Sequence, residues 1–413
     1  MKLISASFFS TLSARQTKAA LKYFLPWFWF KIRKGGSVLE LEKTFSKIIG
    51  AKYAKSFYNA RSAIFQGLAA CGIGEGDEVI VQAYTCVSVA NAIMALGARP
   101  IYADIKPADL NIDPKKIAAA ITPKTKAIMV QHTFGTPADL GSILALASAK
   151  GLILVEDCAH ALGARYQRQN VGTFGKFSVF SFGRDKVISG VNGGMLATND
   201  SELFNKLPKN LPLPPVGVIL QNLLYPLIAQ ISRGTYYFVG LGKLIIAAAK
   251  TLKLIPKITS AAENKCQDHK ILNYALPNCL ADLIIEELVK LPAINSHRQK
   301  IAAYYQRALI NKQADYLYPN DHQKENIYLR LVVLTSNRKS LSDYLKRQSV
   351  ILGNWYDAAI APHQVNFNDC AYQLGSCPIA EDIAQKTLNL PNHAGIDFSQ
   401  AKKVADLINQ WQE

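Results

Sequence analysis

The chain has 413 residues, 49% of them hydrophobic, which is enough to fill the cores of two or three domains and excludes wholesale disorder. Its formal charge is +17, but residues 1–38 and 203–262 each hold seven basic residues and no acid, leaving about +3 for the remainder. A nucleic-acid binder that is basic all over is thereby excluded, and two cationic segments stand out from a near-neutral body.

At the N-terminus, MKLISASFFSTLSARQ (1–16) has the outline of a secretory leader. Serines at 5, 7, 10 and 13 break its short apolar stretch, so a mobile or interfacial arm is expected instead. LKYFLPWFWFKIRK (21–34) then sets two Trp and three Phe among lysines and arginines, and closes an arm spanning 1–34. Leu39–Ile49 reads as an amphipathic helix stopped by Gly50, and 61–71 as a second helix followed by Gly72, Gly74 and Gly76. Glu78–Gln82, Pro100–Asp104, Ala127–Gln131 and Leu152–Val155 read as buried strands, with helices at Val87–Leu96, 114–121 and 138–149 between them. Strands alternating with helices predict right-handed β-α-β units and a mostly parallel, mixed α/β sheet. Ligands then belong at the carboxyl ends of the strands.

Residues 207–258 break the rhythm. Asn210–Ser232 contains no charge and is long enough to span a bilayer, but Pro212, Pro214, Pro215 and Pro226 lie within it. An interior proline costs a helix roughly 3 kcal/mol. Tyr236, Tyr237 and Phe238 follow, then LIIAAA (244–249) between Lys243 and Lys250. Helical periodicity resumes from about 280 to about 309. A smaller α/β unit comes next, with a strand near Tyr328–Leu334 and helices at 340–348, 380–386 and 400–412. The expected organisation is the arm at 1–34, a large domain at 35–295 carrying the 207–258 insert, and a small domain at 296–413. The seven cysteines form no C-x-x-C pair. No zinc or other metal site is therefore expected, and the odd count points to a reducing cytosol.

Chemistry concentrates at 151–195. The strand at 152–155 delivers Glu156-Asp157, and His160 follows three residues after the aspartate. KFSVFSF (176–182) reads as another strand and is followed by Gly183-Arg184-Asp185-Lys186, with Gly190, Gly193 and Gly194 beyond. A lysine and a carboxylate that each follow a strand are what pyridoxal phosphate (PLP) requires. The amine forms a Schiff base, and the carboxylate keeps the pyridine nitrogen protonated. Taken singly, such a lysine is more often solvated, such an aspartate a helix cap and such a histidine a packed core residue.

Together these segments resemble the DegT/DnrJ/StrS sugar aminotransferases, a fold-type-I PLP family. VEDCAHALGA (155–164) and VGTFGKFSVFSFGRDKVISGVNGG (171–194) carry the likeness, with GIGEGDEVI (72–80), VQHTFGTPADL (130–140), SHRQKIAAYYQRAL (296–309) and CPIAEDIAQKTLNLP (377–391). The resemblance implies Lys186 as the Schiff-base and proton-transfer lysine, and Asp157 as the pyridine-nitrogen partner. It puts His160 near the phenolic oxygen, where the family has Gln, so that imidazole protonation becomes a variable. It implies Ser181 and Ser62 on the phosphate. Arg61, in Ala60-Arg61-Ser62, either adds a cation there or points to solvent. Asn278 matches an asparagine given by a partner subunit, so a homodimer is implied.

Departures from the pattern bear on substrate recognition. Cys86 stands where an aromatic residue often stacks on the cofactor ring, with Tyr84 as a substitute. Asn192 replaces an acid, and Asn278-Cys279-Leu280 replaces an Asn-Tyr-Arg run. Trp355 and Tyr356 either line a sugar pocket or belong to the core. Retention of Lys186 favours transamination over dehydration. The expected activity moves an amino group from an amino acid, glutamate first, to a nucleotide-linked keto-sugar for cell-surface glycan. The alternatives are an inactive membrane scaffold on the same fold and a PLP enzyme for a lipid-linked substrate. The family does not account for 1–34 or 207–258. Apolar bulk with basic flanks suits an anionic membrane, here the inner face. Plain packing on the dimer and a spanning helix are the other readings.

Overall fold

A computed structural model describes the chain except residues 1–2, 7–12, 237–239, 257–258, 260, 268–270, 272, 312, 320 and 413. Tyr237, Phe238, Lys257 and much of the leader-like stretch therefore lie outside the described residues. Seven strands make the central sheet: β1 (Tyr53–Phe57), β2 (Glu78–Gln82), β3 (Arg99–Ala103), β4 (Thr125–Gln131), β5 (Ile153–Asp157), β6 (Phe177–Ser181) and β7 (Gly194–Thr198). Their spatial order is β1-β7-β6-β5-β4-β2-β3. β7 is antiparallel to both neighbours, and every other pairing is parallel. The carboxyl ends of β1, β5 and β6 consequently share one edge of the sheet.

Helices cover both faces, so the middle strands are buried along their length, as their apolar runs require. They are α1 (Ala14–Lys22), α2 (Ser37–Ile49), α3 (Ala60–Ala70), α4 (Val87–Met94), α5 (Pro114–Ala120), α6 (Leu140–Lys150) and α7 (Ser201–Lys206). Gly50 ends α2 in the left-handed conformation at φ 85°. Asn59 caps α3 and Asp139 caps α6 through their side chains.

The insert is a helical pair, α8 (Val216–Gly234) and α9 (Leu241–Thr251), followed by the short α10 (Ala261–Asn264). This corrects the proline argument. Three of the four prolines precede α8, and only Pro226 lies within it. Ile219, Asn222, Leu223, Pro226, Ala229 and Ser232 form one buried stripe, and its packing offsets the lost backbone bond. Among the described residues no helix is long and apolar enough to cross a membrane. α1 packs on α8, and α8 on α9, so the two basic segments form one layer.

α11 (Asn278–Leu288) and α12 (Leu291–Ala308) split the expected 280–309 helix, and Pro292 stands in the first turn of α12. The small unit has β8 (Asp315–Leu317), β9 (Leu331–Leu334) and β10 (Thr387–Leu390) as an antiparallel sheet in that order. α13 (Arg338–Arg347), α14 (Pro378–Lys386) and α15 (Phe398–Gln410) accompany it. Tyr305, Leu331, Val333, Leu341, Val404 and Ile408 share the core of this unit, which also takes in Ile4. A two-residue strand at Ile4–Ser5 pairs with Val350–Ile351. β9 starts later than expected because Tyr328 has φ 50°.

Candidate active site

The shared strand edge gathers most of the residues singled out above. Asp157 ends β5 and is 6% exposed. One of its oxygens accepts the Ala159 amide at 3.0 Å. Burial raises its carboxyl above the ordinary value, against the Ala159 bond and the charges of Lys186 and His132. Burial likewise pushes the Lys186 amine down, opposed by Cys86, Asp157 and Asp185. Amine and carboxylate are thus close enough for each to shift the other. Ser181 ends β6 beside the same lysine. A Cβ placed on Gly183 would lie 3.6 Å from Ser181 Oγ and 3.7 Å from Lys186 Cγ.

Ser62 is buried in the first turn of α3, where its amide and hydroxyl donate to Asn59 Oδ1 at 2.9 and 3.1 Å. The backbone of this loop lies against β7. A Cβ on Gly194 would come within 2.4 Å of the Asn59 carbonyl, so glycine is obligatory at that approach. Arg61 is neither solvent-facing nor free: it forms an ion pair with Glu263 of α10. Two more contacts bring the insert over the site. Asn222 donates to the Tyr58 hydroxyl at 3.0 Å, and the Arg184 guanidinium lies 4.5 Å from the Tyr225 ring centre. Cys86 precedes α4, half-buried, within electrostatic reach of Lys186, Arg61 and Tyr356.

His160 is sandwiched between Phe134 and Trp355, with ring centres 5.6 and 5.7 Å away. Its Nδ1 accepts the Phe134 amide at 3.4 Å, so the neutral ring carries its proton on Nε2 and donates to the Tyr356 hydroxyl at 3.2 Å. Burial, with Lys186 and Arg330 nearby, holds the imidazole well below its ordinary value. Its surroundings therefore favour the neutral ring, where the sequence left protonation variable. Trp355 sits half-buried with Lys186 Nζ 5.1 Å from its ring centre. Tyr356 packs beside it at 5.8 Å.

Two of the expected residues are engaged within the chain. Tyr84 is fully buried; its hydroxyl is 2.8 Å from Thr387 Oγ1 and accepts the Tyr356 amide at 3.3 Å. It ties the strand end before α4 to β10 and has no surface to offer a substrate. Asn278 is 2% exposed and engaged within its own chain, accepting from the Ser37 amide and donating to the Lys31 carbonyl, both at 2.9 Å. An Asn-Tyr dipeptide does occur five residues earlier. There the Tyr274 carbonyl accepts the Tyr58 amide at 3.0 Å, and its ring meets Tyr58 edge-on at 6.1 Å.

The sequence reading missed Phe134 and Arg330. The Arg330 guanidinium lies 4.8 Å from the Trp355 ring centre. Phe134 lies within the family-like segment 130–140 but is not singled out there, and Arg330 has no local signal, reaching the site from a distant stretch of chain. His132, Glu156 and Cys158 cluster within 4.8 Å, and the histidine and glutamate are already engaged. Glu156 accepts the amides of Gly172, Phe174 and Gly175, while His132 accepts from Ala138 and donates to Glu156.

A primary amine, a buried carboxylate, two hydroxyls and a helix N-terminus at one strand edge fit pyridoxal phosphate by donor chemistry. Comparison with known proteins agrees. The DegT/DnrJ/EryC1/StrS aminotransferase family profile matches residues 15–210 and 247–409. The spore coat polysaccharide biosynthesis protein SpsC of Bacillus subtilis (strain 168) is 43% identical over 384 residues, 91% of this chain and 90% of that protein. GDP-perosamine synthase of Caulobacter vibrioides is 40% identical over 173 residues, covering 42% of this chain and 47% of that one. The crystal structure of the aminotransferase TlmJ from Streptoalloteichus hindustanus superposes with a TM-score of 0.74, at 25% identity and 98% coverage of both chains. With the catalytic-type amine and carboxylate in place, the chain is a PLP-dependent aminotransferase and belongs to the DegT/DnrJ/EryC1/StrS aminotransferase family.

Proposed function

We propose that the chain transfers an amino group from an amino acid, glutamate first, to a nucleotide-linked keto-sugar destined for a surface glycan. The observation that carries this is a part-buried Lys186 and a buried Asp157 within electrostatic reach of each other at the carboxyl ends of the strands. The names of two relatives support the substrate class, one being a GDP-sugar synthase and the other a polysaccharide biosynthesis protein. When bound, pyridoxal phosphate takes up an amine at its aldehyde carbon and delocalises the electron pair released by deprotonation of the neighbouring carbon.

The chain's own groups divide the remaining work. Lys186 Nζ, its basicity lowered by burial, spends more time neutral, and so would accept the proton of the donor carbon in one half-reaction and supply a proton to the sugar carbon in the other. Asp157 holds the ring nitrogen's proton. Ser62, Ser181 and the N-terminus of α3 bind the phosphate. Neutral His160 is locked between two rings and forms a wall of the pocket, not a proton carrier. Trp355 keeps water from the amine.

Purified protein should take up PLP and show a visible absorbance band that Lys186→Ala lacks. A wild type that never takes up the cofactor refutes the assignment. An inactive scaffold is disfavoured by the intact amine–carboxylate pair.

Two further assignments belong to the same proposal. The enzyme works as a homodimer, which light scattering on the purified chain tests. The layer of α1, α8 and α9 rests on an anionic membrane surface. Trp27, Trp29 and Phe30 are 65%, 61% and 72% exposed, next to Lys31, Arg33 and Lys34, and Leu244 and Leu252 are exposed on the insert. Flotation with anionic and neutral vesicles decides it, and equal recovery in both, or in neither, argues against the membrane.

A further inference from the structure

Two buried guanidinium groups stand beside the reactive lysine without an acid to balance them. Arg298 is 2% exposed; it donates Nη1 to the Val187 carbonyl at 3.2 Å, and its Nε is buried with no hydrogen-bond partner. Arg330 is 4% exposed; it donates to the Ala6 carbonyl at 3.0 Å and to the Asp185 carbonyl at 3.4 Å. Among the described residues neither forms an ion pair with a carboxylate. Asp185 acts on Arg330 only through its main-chain oxygen and a more distant charge. The nearby His393 is occupied by the Ser5 carbonyl at 3.0 Å. A guanidinium keeps its charge when buried, and neutral carbonyls compensate it incompletely. The pocket therefore carries an unmet demand for an anion.

Position narrows the choice of anion. Arg330 and Lys186 lie against the same Trp355 ring, at 4.8 and 5.1 Å from its centre. In an α-amino acid the carboxylate and the amine share one carbon, so whatever holds the carboxylate must stand next to the lysine that exchanges with that amine. The planar fork of arginine matches a carboxylate in two parallel bonds. The Ala6 carbonyl is a weaker, neutral acceptor in the same place.

We propose that Arg330 receives the α-carboxylate of the amino donor, in exchange for the Ala6 carbonyl, with Arg298 supplying supporting charge. This rests on the transaminase assignment above. The keto-sugar's reacting carbon bears no carboxylate, so Arg330 serves only one of the two half-reactions.

The test separates those halves. In Arg330→Gln, the donor half-reaction with glutamate should show a KM raised about 10- to 100-fold, as loss of a charge-assisted hydrogen bond implies. The amino-sugar half-reaction should stay within about twofold. Calorimetric binding of 2-oxoglutarate to the PLP-loaded protein, where it has no amine to take up, should weaken by the same 10- to 100-fold factor, a readout independent of turnover. Equal loss in both halves, with 2-oxoglutarate binding intact, reduces Arg330 to a support for the Lys186 segment and overturns the proposal. Unchanged donor kinetics also overturn it. Should Arg330→Gln fail to fold, wild-type protein preferring 4-aminobutyrate to glutamate as donor gives the same refutation. A wild type that binds no PLP fails at the earlier step and takes this proposal with it.

Discussion

Gly194→Ala isolates the role of close backbone approach at the phosphate loop. The added methyl would lie 2.4 Å from the carbonyl carbon and oxygen of Asn59 and 2.5 Å from Ala60 N. Ordinary contact begins near 3.4 Å, so the loop must withdraw by about 1 Å, and backbone yields less readily than a side chain. Gly194 itself has a backbone conformation that alanine accepts, so the conflict is purely steric. Overpacking of this kind costs about 1–3 kcal/mol, and the upper half applies because main chain is the obstacle. The bridge between Asn59 and Gly193 would be strained, carrying the N-terminus of α3 away from the phosphate. A misplacement of about 1 Å at a binding loop weakens function by up to about a hundredfold. Cofactor titration and thermal melting should therefore show weaker PLP binding and a lower melting temperature. Gly217→Ala is the matched control: nothing lies within 4 Å of its Cβ, and it sits in the first turn of α8. It should be neutral or up to about 1 kcal/mol stabilising. Wild-type affinity and melting in Gly194→Ala would refute the steric account.

Lys186→Ala should lower transamination by about a thousandfold or more while leaving the melting temperature near wild type, since a buried amine is desolvated at a cost. Activity within tenfold of wild type would move proton transfer to another group. Burial pushes His393 down to about 3 and holds His160 below its ordinary value. Both are neutral when folded and gain a proton on unfolding below about pH 6.5, so stability is retained above that pH and falls as pH drops beneath it. Each adds a slope of up to about 1.4 kcal/mol per pH unit, and His160→Gln should flatten the acid limb of melting against pH. An unchanged limb would place His160 outside the buried set. Replacing Trp27, Trp29 and Phe30 by serine should abolish flotation with anionic vesicles yet spare turnover in solution. Loss of both together would show that the aromatics serve the fold.

Much of this architecture was legible in the residues. Apolar runs marked β2, β4 and β5, and Gly50 and Gly72 marked helix ends. β1 escaped because Lys55 and Ser56 interrupt it, and β7 because it opens on glycine. The insert misled through its prolines, whose position relative to the helix start decides whether they break or begin it. Lys186, Asp157 and Ser181 could be found because each directly follows or ends a strand. The contacts of Asn278 could not be read, since they are made by Lys31 and Ser37, far away in sequence. The neutrality of His160 and the presence of Arg330 depend on rings and strands that meet only in three dimensions.

Residues 4–6 are bonded into the small domain while α1, beginning at Ala14, packs on the large one. The small unit thus reaches the edge of the pocket through the Ala6 carbonyl, which accepts from Arg330 at 3.0 Å. Tag placement has a direct consequence. An affinity tag on the N-terminus pulls on a strand bonded beside the pocket, whereas one after α15 follows a helix packed on α12 and α13.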